Sequence, residues 1–166
     1  DARSTSRPWK SLPKPMPDPR HVIRTDGASK GNPGHASIAY LIEDADGEVV
    51  SSHARYIGKQ TNNVAEYTAL VEALEAAHEL GVTRVEAFSD SELMVKQISG
   101  EYRVKNETLR PLYESVIASL PRFQSAYVTH VPREQNRAAD KLAGDVIRAH
   151  MKALKEAENP PPDTPD

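Results

Sequence analysis

The chain has 166 residues, 38% hydrophobic and 27% charged, with a net charge of -3. That composition suits one globular domain rather than a disordered chain, and it counts against a binder that grips nucleic acid by charge alone while leaving room for a local basic rim. It has no cysteine, which excludes disulfides and thiolate metal sites. No apolar run approaches the roughly 20 residues that span a bilayer, so no membrane partner is expected and the cytoplasm is the expected compartment.

Residues 1–20 carry five prolines, with Arg3, Arg7, Lys10, Lys14 and Arg20 against Asp1 and Asp18. Proline removes backbone donors and fixes φ, so a basic linker outside the fold is expected there. Strands follow near 21–26, 36–43 and 48–57, the last two joined at Asp46-Gly47, a step that favours hairpins. Between the first two lies Thr25-Asp26-Gly27-Ala28-Ser29-Lys30-Gly31-Asn32-Pro33-Gly34. Taken alone, it reads as a hairpin whose Asp26 starts the turn.

Asn62 or Asn63 opens a helix in which Tyr67, Leu70, Val71, Leu74 and Ala77 recur at helical spacing, and Gly81 stops it. Within it, Glu66 reads as a capping carboxylate. A strand over 84–89 ends in Ser89-Asp90-Ser91, where Asp90 reads as the N-cap of a helix, Glu92 to Ser99. That helix is expected to turn Leu93, Met94, Val95 and Ile98 inward. A third helix, Glu107 to Leu120, carries Pro111 in its first turn. A strand over 126–131 leads to the last helix, Asn136 to Ala157, expected to bury Leu142, Val146, Ile147, Met151 and Leu154. Asp140, in its first turn, complements the helix dipole. Residues 158–166 read as a Pro-rich acidic tail. This element order permits an α/β fold with a mixed five-stranded sheet, three strands antiparallel and two added in parallel.

Four blocks then stand out: Asp26-Gly27 through Gly31-Asn32-Pro33-Gly34, Thr61-Asn62-Asn63-Val64-Ala65-Glu66, Ser89-Asp90-Ser91, and Asn136-Arg137-Ala138-Ala139-Asp140-Lys141-Leu142-Ala143. Each delivers one acid. In this order they resemble type 1 ribonuclease H, in the short form of its archaeal-like branch. Two departures mark that form. Gly100 to Glu107 holds only Arg103 and Lys105 where some relatives carry a Trp- and Lys-rich protrusion. The short Val131-Pro132-Arg133-Glu134-Gln135 replaces a Gly-rich loop with a mobile histidine.

The resemblance implies a ribonuclease H-like catalytic domain over 21–157, with helices on both faces of the sheet. It implies a metal-dependent endonuclease that cuts the RNA strand of RNA/DNA hybrids, leaving 5′-phosphate and 3′-hydroxyl ends. Four carboxylates brought together repel one another, and Mg²⁺ or Mn²⁺ would neutralise them through oxygen ligands. In two-metal hydrolysis the ions sit roughly 3.5–4 Å apart and stabilise the attacking and leaving oxygens. By resemblance Asp26 bridges both ions, with Glu66 and Asp90 on one side and Asp140 on the other. The family pattern also places Asn62 and Asn63, the Gly31-Asn32 turn and Ser91 near the substrate, where the 2′-hydroxyl separates RNA from DNA. Arg133 is expected to take the part of the missing loop histidine, with His130 as the alternative. A monomer is expected, and cleavage of double-stranded RNA is left open. The competing readings are a weakly catalytic hybrid-binding module and a resolvase- or integrase-like nuclease on the same fold.

Overall fold

The structure, a computed structural model, describes residues 20–159 and Pro162. The expected basic linker up to Pro19, and the acidic tail apart from Glu158, Asn159 and Pro162, lie outside the described residues. Strands β1 (His21–Gly31), β2 (Gly34–Glu43) and β3 (Val49–Gln60) come first, followed by helix α1 (Asn62–Glu79). Strand β4 (Arg84–Ser89) and helices α2 (Glu92–Ile98) and α3 (Arg110–Ser119) follow, then β5 (Ser125–His130) and α4 (Arg137–Glu158).

The sheet has five strands in the order β3-β2-β1-β4-β5. β1–β2 and β2–β3 are antiparallel, and β1–β4 and β4–β5 are parallel, as the element order permits. β1 runs further than its composition predicts. Polar Asp26 to Lys30 stay in the ladder because each has a partner on β2, from Asp26↔Ala39 to Lys30↔His35. The turn is confined to Asn32-Pro33, entered through Gly31 at φ 96°, a conformation that glycine adopts without strain.

Alternation along β2 puts successive side chains on opposite faces. Ala36 and Ile38 pack on Ala65 and Ala69 of α1. Ser37, between them, donates its hydroxyl to the Ala143 carbonyl of α4 at 2.6 Å. Helices therefore cover both faces, α4 on one and α1 on the other. The main core lies on the α1 side, where Ile23, Ile42, Tyr67, Leu70, Leu74, Val85, Met94 and Val116 interlock. Each large side chain buried there contributes roughly 1.5–3 kcal/mol.

Four local expectations are corrected. Thr61, not Asn62 or Asn63, is the N-cap of α1, and its hydroxyl accepts from the Val64 N–H. Leu93 is exposed, because α2 turns Met94 and Gln97 inward instead, and Gln97 accepts the buried Tyr67 hydroxyl at 2.6 Å. Leu154 also lies exposed, in the last turns of α4, where every residue from 152 to 158 is exposed. The third helix starts at Arg110 rather than Glu107, because the Asn106 side chain accepts from the N–H groups of Thr108 and Leu109 and holds a turn there.

Candidate active site

The β1–β4 pairing ends at Arg24↔Phe88. Beyond it the two chains part at their carboxyl ends, the place where open α/β sheets form a binding crevice. Asp26 stands at this opening on β1 and is 4% exposed. Asp90 follows the last residue of β4. Glu66, 8% exposed, comes from α1, and Asp140 from the first turn of α4. Asp26, Glu66 and Asp90 each present a carboxylate oxygen, all within 4.8 Å of one another. With Asp140, Asn62 and Arg133 they line a cleft of about 370 Å³.

Glu66 does not cap its own helix. Its Oε1 accepts the Gly27 N–H of β1 at 2.8 Å. That contact depends on Gly27 having no side chain, since a Cβ there would lie 2.2 Å from the Ala65 carbonyl carbon and 2.3 Å from the Glu66 nitrogen. Asp90 is not an N-cap either, because the Ser91 hydroxyl takes that part by accepting from the Met94 N–H. Asp90 is held instead by Asn136. This residue is wholly buried, and its amide donates to the Thr25 carbonyl at 2.8 Å and reaches Asp90 Oδ2 at 3.4 Å. Asp140 does sit in the first turn of its helix, as expected, and its Oδ1 accepts from Arg133 Nη2 at 3.3 Å.

The cluster is electrostatically loaded. Burial, then Asp90 and Asp140, push the Asp26 carboxyl from 3.8 up to about 8, while Arg133 pulls it down. Glu66 is raised well above the usual carboxylate range by burial, then Asp26 and Asp90, and the Gly27 N–H opposes this. Without a cation, burial and mutual repulsion favour the protonated forms of Asp26 and Glu66. All the donors are carboxylate oxygens, a set that suits a hard divalent cation such as Mg²⁺ or Mn²⁺.

The remaining sequence candidates divide between places. Asn62 lines the acid cleft. Asn32 and Asn63 line a neighbouring depression of about 260 Å³ with Lys59, Thr61 and Asn106. The Asn32 side chain spans the two by accepting the Asn62 N–H at 3.0 Å, which ties the β1–β2 turn to the start of α1. Gly31 shapes that turn and Ser91 caps α2; neither lines these two depressions. Arg133 lines the acid cleft, whereas His130, at the end of β5, does not.

Sequence reasoning missed Gly27 and Asn136 as parts of the site, although both stand in the quoted blocks. A glycine directly after a strand acid signals a close approach of backbone. An asparagine before a helix looks like a cap, and only the fold shows its side chain turned away to Thr25 and Asp90.

A family described as reverse transcriptase-like matches residues 24–146. The chain is 40% identical over 122 residues to a ribonuclease HI of Halobacterium salinarum, covering 74% of this chain and 61% of that one. Its structure resembles the N-terminal ribonuclease H domain of a Mycobacterium tuberculosis protein, with TM-score 0.78, 38% identity, and coverage of 82% of this chain and 99% of that one. It also resembles LC11 ribonuclease H1 in complex with an RNA/DNA hybrid, with TM-score 0.74, 38% identity, and coverage of 79% and 99%. The chain thus spans 61% of the Halobacterium relative, and 35% of a bifunctional mycobacterial relative.

Proposed function

The chain belongs to the type 1 ribonuclease H family, and from that premise we propose that it is a metal-dependent endonuclease hydrolysing the RNA strand of RNA/DNA hybrids. The observation that carries the reading is the meeting of Asp26, Glu66 and Asp90 oxygens within 4.8 Å at the carboxyl ends of adjacent strands. Residues 21–157 act as the catalytic domain, in a monomer.

Asp26, Glu66, Asp90 and Asp140 would hold Mg²⁺ or Mn²⁺. Two such ions, when bound, supply an activated water and charge stabilisation for the departing oxygen. The chain's own residues do the rest. The Gly27 N–H and the Asn136 amide fix the Glu66 and Asp90 carboxylates, so the ligands are aimed before any ion arrives. Asn62, beside the acids, and Asn63, in the next depression, offer amide donors and acceptors to 2′-hydroxyls. The Gly31-Asn32 backbone and Ser91, outside the acid cleft itself, would make further contacts with the hybrid. Arg133 attracts the scissile phosphate or helps to expel the cleaved one, without changing protonation state. In-line attack of water on phosphorus breaks the P–O3′ bond, which leaves a 5′-phosphate and a 3′-hydroxyl.

The test is a labelled RNA/DNA hybrid beside matched DNA/DNA and RNA/RNA duplexes, with and without Mn²⁺ or Mg²⁺. Metal-dependent cutting of the hybrid, with DNA/DNA untouched, is the expected result, and the RNA/RNA arm decides whether double-stranded RNA is also a substrate. Cutting of DNA/DNA, or binding without cutting, would return the reading to a resolvase-like nuclease or a hybrid-binding module.

A further inference from the structure

Of the four acids, Asp140 is fixed least by its own contacts. Asp26 sits in the β1–β2 ladder, Glu66 takes the Gly27 N–H and Asp90 the Asn136 amide. The Asp140 side chain is half-exposed, and its ion-pair partner is the exposed Arg133. It nevertheless lies close enough to Asp26 to push that carboxyl up. Its place is therefore set by where α4 lies. That helix rests on β1, β2 and β3 and buries Ala139, Ala143 and Ile147, one residue in every four. Two alanine methyls allow a close approach but offer little relief to interlock with the sheet, so packing alone holds the helix's rotation and height only weakly.

Two directional bonds do hold them. The Asn136 amide donates to the Thr25 carbonyl of β1 at 2.8 Å, and the Ser37 hydroxyl of β2 donates to the Ala143 carbonyl at 2.6 Å. Residues 136 and 143 are two helical turns apart, roughly 10 Å along the axis. Asp140 lies between them. Ser37 is wholly buried, in the otherwise apolar run from Ala36 to Ala39. A hydroxyl buried without a partner is costly, so its burial enforces the bond. The Ala143 carbonyl, inside α4, accepts it on its second lone pair. The strand register adds the link to the acids. Ser37 stands opposite Ala28, and Ala39, next on the same face, stands opposite Asp26. Ala28 itself lines the acid cleft. One hydroxyl thus ties the strand paired with Asp26 to the helix that carries Asp140.

We propose that Ser37 is a positioning residue for the reaction: through Ala143 it sets the height and rotation of α4, and so the distance from Asp140 to Asp26. This rests on the ribonuclease reading, in which both acids serve as metal ligands. Ser37 does not line the acid cleft, so it acts only through the helix. With its hydroxyl removed, α4 keeps the anchor at Asn136 and can swing about it. Asp140 then shifts, while Glu66 and Asp90 stay on the Gly27 N–H and the Asn136 amide. The loss falls on metal binding that needs Asp140 and spares binding that needs only the other three acids.

The test is a double-mutant cycle on metal affinity. Ser37→Ala, Asp140→Asn and the two together are titrated with Mn²⁺ by calorimetry, without nucleic acid and at one pH. Ser37→Ala leaves no buried group unpartnered, because the Ala143 carbonyl keeps its bond within α4, so the variant folds. Thermal unfolding in EDTA checks this. Ser37→Ala is expected to weaken Mn²⁺ binding about tenfold when Asp140 is present, and to add nothing to the loss caused by Asp140→Asn. A merely structural Ser37 would lower the unfolding temperature and leave Mn²⁺ affinity unchanged, which overturns the proposal. Equal weakening in both backgrounds overturns it too. Cleavage of an RNA/DNA hybrid by the unmodified protein is followed alongside. If that protein neither binds Mn²⁺ nor cuts the hybrid, the ribonuclease reading fails and the positioning role goes with it. If it does both while the cycle shows no coupling, only the role of Ser37 is lost.

Discussion

Asp26 and Glu66 face Asp140 and Arg133 across one cleft, yet the two walls are built on different terms. The first pair is buried, and its geometry is set by the backbone: Asp26 inside a β-ladder, Glu66 on the Gly27 N–H. In the second pair the Asp140 and Arg133 side chains are 37% and 77% exposed and hold each other by a direct ion pair at the solvent edge. An exposed ion pair is worth about 0–1 kcal/mol and rearranges readily. Buried like charges cannot relax in that way. One wall is thus a fixed socket strained by its own charge, and the other is an adjustable rim.

If that contrast is right, changes to the buried wall cost most. Asp26→Asn should lower kcat by about a thousandfold or more, roughly 4 kcal/mol, with hybrid binding largely kept, as measured by single-turnover cleavage and by titration. A residual rate near that of the unmodified protein would move the chemistry elsewhere in the cleft. Gly27→Ala should come next. Its methyl group would meet backbone rather than a flexible side chain, so stability falls by roughly 3 kcal/mol and Glu66 shifts with α1. Denaturant unfolding reads the first effect and metal affinity the second.

How much of this wall could be read from the chain is instructive. The apolar periodicity of α1 and the strand before Asp26 were legible, because burial of one helix face or one strand leaves a regular pattern. The continuation of β1 through Asp26 to Gly31 was not, since its residues have turn-like composition and only pairing with β2 keeps them extended. All four acids were found through their blocks, but their local readings as caps were wrong for Glu66 and Asp90. Helix starts attract several polar residues at once, and only the fold shows that Thr61 and Ser91 cap while the acids turn to the cleft. Leu93 was misplaced because α2 is seven residues long and buries Gln97 to satisfy Tyr67, which a hydrophobic count does not foresee.

Asn136 joins the buried wall to the rim, so its removal should have an intermediate effect. Asn136→Ala leaves the Thr25 carbonyl without its side-chain donor and Asp90 unsteadied, at a cost of roughly 1–3 kcal/mol in stability. Loss of metal affinity beyond the loss of stability would mark it as a positioning residue, and a purely structural role would leave metal affinity alone. On the rim itself, Arg133→Ala should lower kcat about tenfold, or about 1.4 kcal/mol, and His130→Ala should change it little. The opposite ranking in steady-state kinetics would give the auxiliary role to His130.

The socket's demand for a cation is tested most directly by thermal unfolding across pH, with and without Mn²⁺, for the unmodified protein and Asp26→Asn. Burial, with Asp90 and Asp140 beside it, pushes the Asp26 carboxyl from 3.8 up to about 8 in the fold. Between those values the folded state binds the extra proton, so the Asp26 contribution to metal-free stability is fully present at the acid end and is lost as pH rises through 8. Asp26→Asn removes much of that slope and should be the more stable protein at pH 8, by roughly 2–4 °C for each kcal/mol relieved in a domain of this size. Mn²⁺ should restore the unmodified protein and do much less for the variant. Parallel pH profiles for the two proteins, with no gain on adding Mn²⁺, would contradict a cation-demanding socket.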